Sequence, residues 1–413
     1  MRTKLGVENL SVGMYVCALD RPWLESPFGL GPFTIDSTEC LQRLRTLCEF
    51  VYVDNSAVRE ASGLDGDTDF ERPELELEML RHYAQPAAGP SRYPDQSDLE
   101  QELPHADRAY AIASSAISTL LKAAQLGVPL NIPGLRQALK PMLDSIVRNP
   151  DALLWRIRAQ PGEDALPAHS LRVCVLALAF GRHLGWEPGE LEAIGLGGLL
   201  HDVGFVRLPG TIADHPGETE HDPPILAQHV EYGATMLAGI PDLRPTTLEF
   251  VHNHHRYLDG SGYPRDTISA MPSTSGKIAA IVHEFDRLTR PFNPGGALPE
   301  HLALKVLYRD RGVRFDIHLV EDFVRCIGIY PLGSVVELLN GDIGVVLAFN
   351  RDRRLRPRVA LTPVRVDAPD STPPSLDVAT LLAAPSTECE IARLAQERIQ
   401  NRIRPVDYVP IGR

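Results

Sequence analysis

The sequence predicts a multidomain, mainly α-helical protein: a helical bundle with a small N-terminal α/β module before it and a C-terminal β-hairpin segment after it. Three observations predict this. Apolar residues recur at helical spacing across 105–330, where strand signals are sparse. After Tyr330-Pro331 the period changes to two. Ahead of the bundle, residues 1–60 alternate strand and helix signals, and residues 61–104 form an acidic, Pro- and Gly-rich stretch that reads as a linker.

Each element has a local reason. Val12 to Leu19 is β-rich, Ser37-Thr38-Glu39 opens a helix with Leu41, Leu44 and Leu47 at its apolar positions, and Val51 to Val53 reads as a strand. Within the linker one short helix is expected near Leu75 to His82. The bundle begins with Ala109 to Gln125, stopped near Gly127 and Pro129; Leu135 to Arg148 follows and is expected to break at Pro141. Helices are then expected at His169 to Leu184, Glu190 to Val203, Ile225 to Leu237, Thr246 to His255, Ser275 to Thr289 and Pro299 to Val306. Ser334 to Leu339 and Ile343 to Phe349 flank an Asn340-Gly341 turn, which marks a β-hairpin, with Arg358 to Val366 as a third strand; the hairpin segment spans 331–366. Residues 367–413 read as a polar, partly helical tail.

Composition narrows the function classes. The chain has 413 residues, 44% hydrophobic and 23% charged, so it can bury sizeable cores. Its formal charge of −13 disfavours wrapping of a nucleic acid polymer, which needs a basic surface. A small anionic ligand stays compatible, because bound metal ions reverse local charge. The longest apolar run, Val173 to Phe180, is far shorter than a membrane span of about 20 residues. The Met-Arg-Thr-Lys start leads into no signal-peptide core, and six Cys (Cys17, Cys40, Cys48, Cys174, Cys326, Cys389) form no CxxC pair. A reduced, cytoplasmic protein is expected.

The histidines are unevenly placed: ten of 14 lie between His169 and His283. His201-Asp202 ends an apolar helix. Neutral imidazole ligates divalent transition metals, and a carboxylate can bridge two ions. Gly197 and Gly198 lie one turn earlier on the same face, and Ala279 and Ala280 stand in the same relation to His283; small residues there are expected to leave room for metal and substrate. His169, His229 and His254-His255 sit on three further helical segments. A lone His on a helix is usually a surface or core residue, which is the reading for His82, His105, His183, His215, His221, His301 and His318. Five helical segments that each present His toward one place describe a metal site inside a bundle. Directly after the paired histidines comes Asp259-Gly260-Ser261-Gly262-Tyr263-Pro264, a tight loop able to close over such a site.

These residues resemble the HD-GYP family, a branch of the HD superfamily of metal-dependent phosphohydrolases whose bacterial members hydrolyse the second messenger cyclic di-GMP. The resemblance covers about residues 160–330, through His169-Ser170, Leu200-His201-Asp202-Val203-Gly204, His229, His254-His255 and the Gly262-Tyr263-Pro264 loop. Leu10 to Val16 and Ser26-Pro27-Phe28 look like an uncharacterised module that often precedes such domains. The resemblance implies an HD-type bundle and two divalent metals, iron or manganese. His169, His201, Asp202 and His283 would hold one metal, His229, His254 and His255 the other, with Asp202 shared. A metal-bridging hydroxide would attack phosphorus in line. Arg256, Gly262, Tyr263, Pro264 and Arg290 would contact substrate, with Asp202 and Arg290 in catalytic roles. Signalling proteins would dock on the Gly-Tyr-Pro loop, and the bundle would pair as a homodimer.

The chain departs from the family pattern at several places. Phe205 stands where the family has Lys, Arg256 where it has Glu, and His283 where it has a metal-binding Asp; Ala165 replaces the Glu some members use for a third metal. Losing a charge-assisted contact to a buried phosphate costs about 1.5–3 kcal/mol. Losing a transition-state contact costs about 10²–10³ in rate. Weakened catalysis is therefore expected, and the alternative is a degenerate, non-catalytic module that binds cyclic di-GMP or a signalling partner.

Overall fold

The protein is described by a computed structural model, which places residues 2–10, 14–20, 33–35, 38–54, 73–85, 92–158, 166–208, 224–265, 271–289, 297–338, 342–351, 354–365, 386–388 and 391–394. They form two compact units. The mainly helical architecture that the sequence predicts is borne out.

One unit takes in Met1–Gln85 together with Ser334–Ser375 and Ala384–Ile403. Strands β1 (Arg2–Gly6), β2 (Tyr15–Leu19), β3 (Phe33–Thr34) and β4 (Phe50–Asp54) make an antiparallel sheet in the order β1-β4-β2-β3. Helix α1 (Thr38–Leu47) brings Leu44 into the same core as Val16, Ile35 and Val51. Helix α2 (Pro73–Ala84) is the short helix expected in the acidic stretch, and its Tyr83 hydroxyl donates to the Arg354 carbonyl.

The second sheet of this unit joins β5 (Val335–Leu338), β6 (Asp342–Ala348), β7 (Arg358–Arg365), β8 (Ser386–Glu388) and β9 (Ile391–Leu394) in the order β8-β7-β6-β5-β9. The hairpin partners pair as the period-two pattern implies. Of the tail read as polar and partly helical, residues 386–388 and 391–394 are the strands β8 and β9, and the remainder lies outside the described residues. The outer edges of β7 and β5 offer unpaired backbone groups, and short segments satisfy them without a long alternating pattern of their own.

The other unit is helical. Helix α3 (Leu99–Gln125) starts ahead of the expected Ala109, because Glu100 and Glu102 in its first turn suit the positive end of a helix. Helix α4 (Ile132–Arg148) runs unbroken through Pro141, against expectation. A proline inside a helix costs about 3 kcal/mol. Leu135, Ala138, Leu139, Met142 and Ile146 bury one continuous stripe across it, and each large apolar side chain returns about 1.5–3 kcal/mol. Helix α5 (Pro150–Arg158) follows.

Helices α6 (Leu166–His183) and α7 (Pro188–Leu200) form the centre, buried on nearly every side. Gly185, at φ 73°, takes the left-handed turn that ends α6. Around them stand α8 (Pro224–Leu237), α9 (Pro245–Asn253), α10 (Thr274–Leu288), α11 (Glu300–Arg309) and α12 (Ile317–Ile327). Phe323 of α12 meets Phe180 of α6 and Phe285 of α10 edge-on, each at 5.2 Å.

Gly197 and Gly198 have a different use from the one the sequence suggests. A Cβ on Gly198 would lie 2.6 Å from the Cys174 Cα, and one on Gly197 would lie 2.7 Å from the Phe250 side chain. They permit close approach of α7 to α6 and α9, and so fix the height at which α7 delivers His201-Asp202.

Candidate metal centre

Five helices supply the site. His169 lies in the first turn of α6, His201-Asp202 directly follows α7, His229 is on α8, His254-His255 directly follow α9, and His283 is on α10. All seven side chains are buried. They fall into two groups whose potential ligand atoms lie within 4.8 Å of one another: His169, His201, Asp202 and His283, and then His229, His254 and His255. Asp202 joins them. Its Oδ2 is 3.3 Å from His169 Nε2 and 3.2 Å from His201 Nε2; its Oδ1 is 3.3 Å from His229 Nε2 and 3.4 Å from His254 Nε2.

The outer nitrogens fix the tautomers. His201, His229 and His254 each donate Nδ1–H to the carbonyl three residues earlier: Gly198 at 2.8 Å, Leu226 at 2.6 Å and Val251 at 2.6 Å. A carbonyl only accepts, so the proton is on Nδ1 and Nε2 carries a lone pair. His169 donates Nδ1–H to Asp286 Oδ2 at 2.7 Å. Two pairs of Nε2 atoms then face each other at 3.1 Å, His169 with His201 and His229 with His254. Lone pairs at that separation repel; it is the spacing of two nitrogens each about 2.1 Å from one shared cation.

The electrostatics agree. Burial works against the charge on Asp202, but the imidazoles of His201, His169 and His229 packed around it outweigh burial and hold the carboxyl well below its usual range. Burial pushes His254 down to about 3, and burial followed by neighbouring imidazoles pushes His255 and His283 well below the ordinary histidine range. An anionic carboxylate beside the neutral imidazoles of His254, His255 and His283 suits a metal. Asp202 Oδ1 and His283 Nδ1 are buried without a hydrogen bond. Such orphans are rare, and a cation at each group accounts for both. The residues fit divalent metal ions.

The loop closes against this cluster. Asp259 Oδ1 accepts from the Ser261 N–H and hydroxyl, and Gly262 takes φ 84°. A Cβ on Gly262 would lie 2.1 Å from the His255 carbonyl, which instead accepts the Tyr263 N–H at 3.1 Å. The Tyr263 ring lies 4.4 Å from that of His255. Arg256 pairs with Gly262 in an isolated bridge, its guanidinium 3.4 Å from Asn253 Oδ1, and Pro264 is half-buried beside Tyr263. Arg290 and Ala165 lie outside the described residues.

Three features around the site are not evident from the sequence pattern. Asp286 orients His169 and is itself held by Arg172 Nε at 2.8 Å. The signal was spacing: Asp286 follows His283 by three residues, and Arg172 follows His169 by three, so each pair shares a helix face. Glu284, also buried, gathers Arg287, Arg314 and the Tyr257 hydroxyl. Phe205 stacks on the His229 ring at 4.1 Å and 24°.

Known proteins share this arrangement in sequence. Residues 157–319 match the HD domain, and residues 2–133 match a domain of unknown function (DUF3391). A cyclic di-GMP phosphodiesterase of Pseudomonas aeruginosa is 31% identical over 366 residues, 87% of this chain and 84% of that protein. The chain belongs to the HD-GYP family. Two further relatives align over shorter stretches. The cyclic di-GMP phosphodiesterase response regulator RpfG of Xanthomonas campestris is 29% identical over 37% of this chain and 41% of its own length. A 3'3'-cGAMP-specific phosphodiesterase of Vibrio cholerae is 31% identical over 37% of this chain and 30% of its own length. The HD domain is a hydrolase fold, and HD-domain phosphohydrolases use divalent metals; both His/Asp groups lie inside the HD-GYP region. No helix among the described residues is long and apolar enough to cross a membrane.

Proposed function

We propose that this protein is a metal-dependent phosphodiesterase that hydrolyses cyclic di-GMP. One observation carries the reading: the Asp202 carboxylate turns one oxygen to each of two buried imidazole groups. The 31% identity to a cyclic di-GMP phosphodiesterase over most of both chains supports the substrate. His169, His201, Asp202 and His283 would hold one ion, and His229, His254 and His255 a second that shares Asp202. Two bound divalent ions supply a water activated for in-line attack and neutralise the phosphate charge.

The chain's own groups do the rest. Asp202 stays anionic while His254, His255 and His283 stay neutral, so none of these four must lose a proton before binding. Tyr263 covers the His229, His254 and His255 side with its ring, and Gly262 lets the loop reach that depth. Arg256 and Arg290 are the cations assigned to the substrate phosphates, and Pro264 completes the loop wall. Water adds across one P–O ester bond; the freed 3'-oxygen takes a proton, leaving a linear dinucleotide with a phosphomonoester. The exposed tip Asp259 to Ser261 is the part of the loop free to meet a signalling protein. Pairing as a homodimer and a cytoplasmic setting belong to the same reading.

Phe205 favours a second reading. It is buried against His229 and brings no cation to the phosphate, as a degenerate module that binds without turnover would have it. Turnover separates the two. Protein loaded with Fe2+ or Mn2+ is expected to linearise cyclic di-GMP, followed by chromatography of the product. Asp202→Ala is expected to lower the rate by at least about 10³-fold. Tight binding by calorimetry without product, at confirmed metal occupancy, establishes the degenerate module instead. Faster turnover of 3'3'-cGAMP than of cyclic di-GMP reassigns the substrate.

A further inference from the structure

The donor set is unusually rich in nitrogen. Six imidazoles and a single carboxylate make up the two groups. The other carboxylates nearby are committed elsewhere: Asp286 to His169 and Arg172, Glu284 to Arg287, Arg314 and Tyr257. Among the described residues, then, Asp202 alone offers oxygen to the clusters. Imidazole suits Fe, Co, Ni and Zn, whereas carboxylate and water suit Mg and Mn.

His283 differs from the four imidazoles whose tautomers are fixed. In His169, His201, His229 and His254 the Nδ1 is used for orientation and Nε2 faces inward. His283 Nδ1 is buried and makes no hydrogen bond. Its ring stands among the rings of His169, His201, His254 and His255, at 5.3, 5.5, 5.1 and 4.3 Å. Nδ1 is two bonds from Cβ, as an Asp carboxylate oxygen is. A ligand at this position can therefore present nitrogen or oxygen at the same reach, without any backbone change.

Building on the metal-centre reading, we infer that His283 ligates through Nδ1 and sets the metal preference of its group, turning it away from Mn2+ and Mg2+ and toward the borderline ions Fe2+, Co2+ and Zn2+. A neutral nitrogen in this place also leaves two divalent ions facing one carboxylate. That excess positive charge penalises a hard ion most, since its binding draws more on anionic oxygen.

The test is a competition. Full-length protein stripped with a chelator is dialysed to equilibrium against equal concentrations of Co2+ and Mn2+, and bound metal is counted by elemental mass spectrometry. All such sites favour cobalt to some degree, so the informative quantity is the change between variants. His283→Asp is expected to lower the bound Co-to-Mn ratio about tenfold, and His283→Asn, a neutral oxygen donor of equal reach, to lower it by a smaller factor. Circular dichroism checks that each variant is folded. An unchanged ratio in a folded variant overturns the inference. So does wild-type protein that holds Mn2+ as tightly as Co2+, which needs no variant at all. Wild-type protein that retains neither ion removes the metal-centre reading itself, and the inference falls with it.

Discussion

At the scale of single residues, the centre is defined as much by what holds each imidazole as by the imidazoles themselves. Three take their orientation from a carbonyl of their own helix, a bond that costs the sequence nothing. His169 depends instead on a distant side chain, Asp286, and through it on Arg172. An anionic acceptor makes His169 a stronger donor as well as fixing its tautomer. Asp286→Asn keeps an acceptor but removes the charge, and it can turn its amide nitrogen toward the ring. Metal affinity is expected to fall about 10–100-fold, with the other group still loaded, as measured by competition with a chromophoric chelator. Equal affinity in the variant would show that Asp286 merely packs. The candidate ligands were legible from the crowding of His between positions 169 and 283. Asp286 was not, because a carboxylate three residues past a histidine is also what an exposed helix face looks like.

At the scale of elements, buried polar pairs tie helices together where apolar packing leaves no choice of register. Glu102 of α3 accepts two bonds from Arg148 at the end of α4, at 2.8 and 2.7 Å, and a third from Ser97. Burial pushes the Glu102 carboxyl up, but Arg148, Ser145 and Ser97 outweigh it and leave it below the usual value. A carboxyl depressed on folding stabilises the fold above its unfolded pKa of about 4.3. That stabilisation is lost as pH falls through the folded value. Glu102→Gln is therefore expected to lower the urea midpoint at pH 6–7 and to match wild type progressively as pH drops below about 4. A variant whose deficit is the same at all pH values would assign Glu102 a purely steric role. The same helices show where periodicity misleads. Pro141 signals a break in isolation, yet the apolar stripe from Leu135 to Ile146 outweighs it. Ile391 to Leu394 is too short to declare a strand until β5 offers it an edge.

At the scale of the whole molecule, the helical unit gathers the candidate ligands from α6 to α10, across more than a hundred residues of chain, whereas the described residues of the unit built on β1 to β9 contribute none of them. Metal held by these residues would be a cross-link within one unit only. A ligand present at about 1,000 times its dissociation constant adds about 4 kcal/mol to the stability of the state that binds it. Its removal leaves Nε2 lone pairs facing each other at 3.1 Å and buried polar atoms without partners. The turns that carry His201-Asp202 and His254-His255 should feel this first, because each sits at a helix end held by a few backbone bonds. Amide hydrogen exchange with and without a chelator measures it. Protection is expected to drop in residues 198–208 and 245–265, and to stay constant in β1, β4 and β6, whose cores of Val16, Val51 and Val53 or of Val345 and Val346 involve no ligand. Loss of protection spread evenly over both units would mean that the metal stabilises something larger than the bundle. No change anywhere would mean that the seven side chains hold their arrangement without help, and the repulsion between facing nitrogens would then need another source of relief, such as protons shared between the rings.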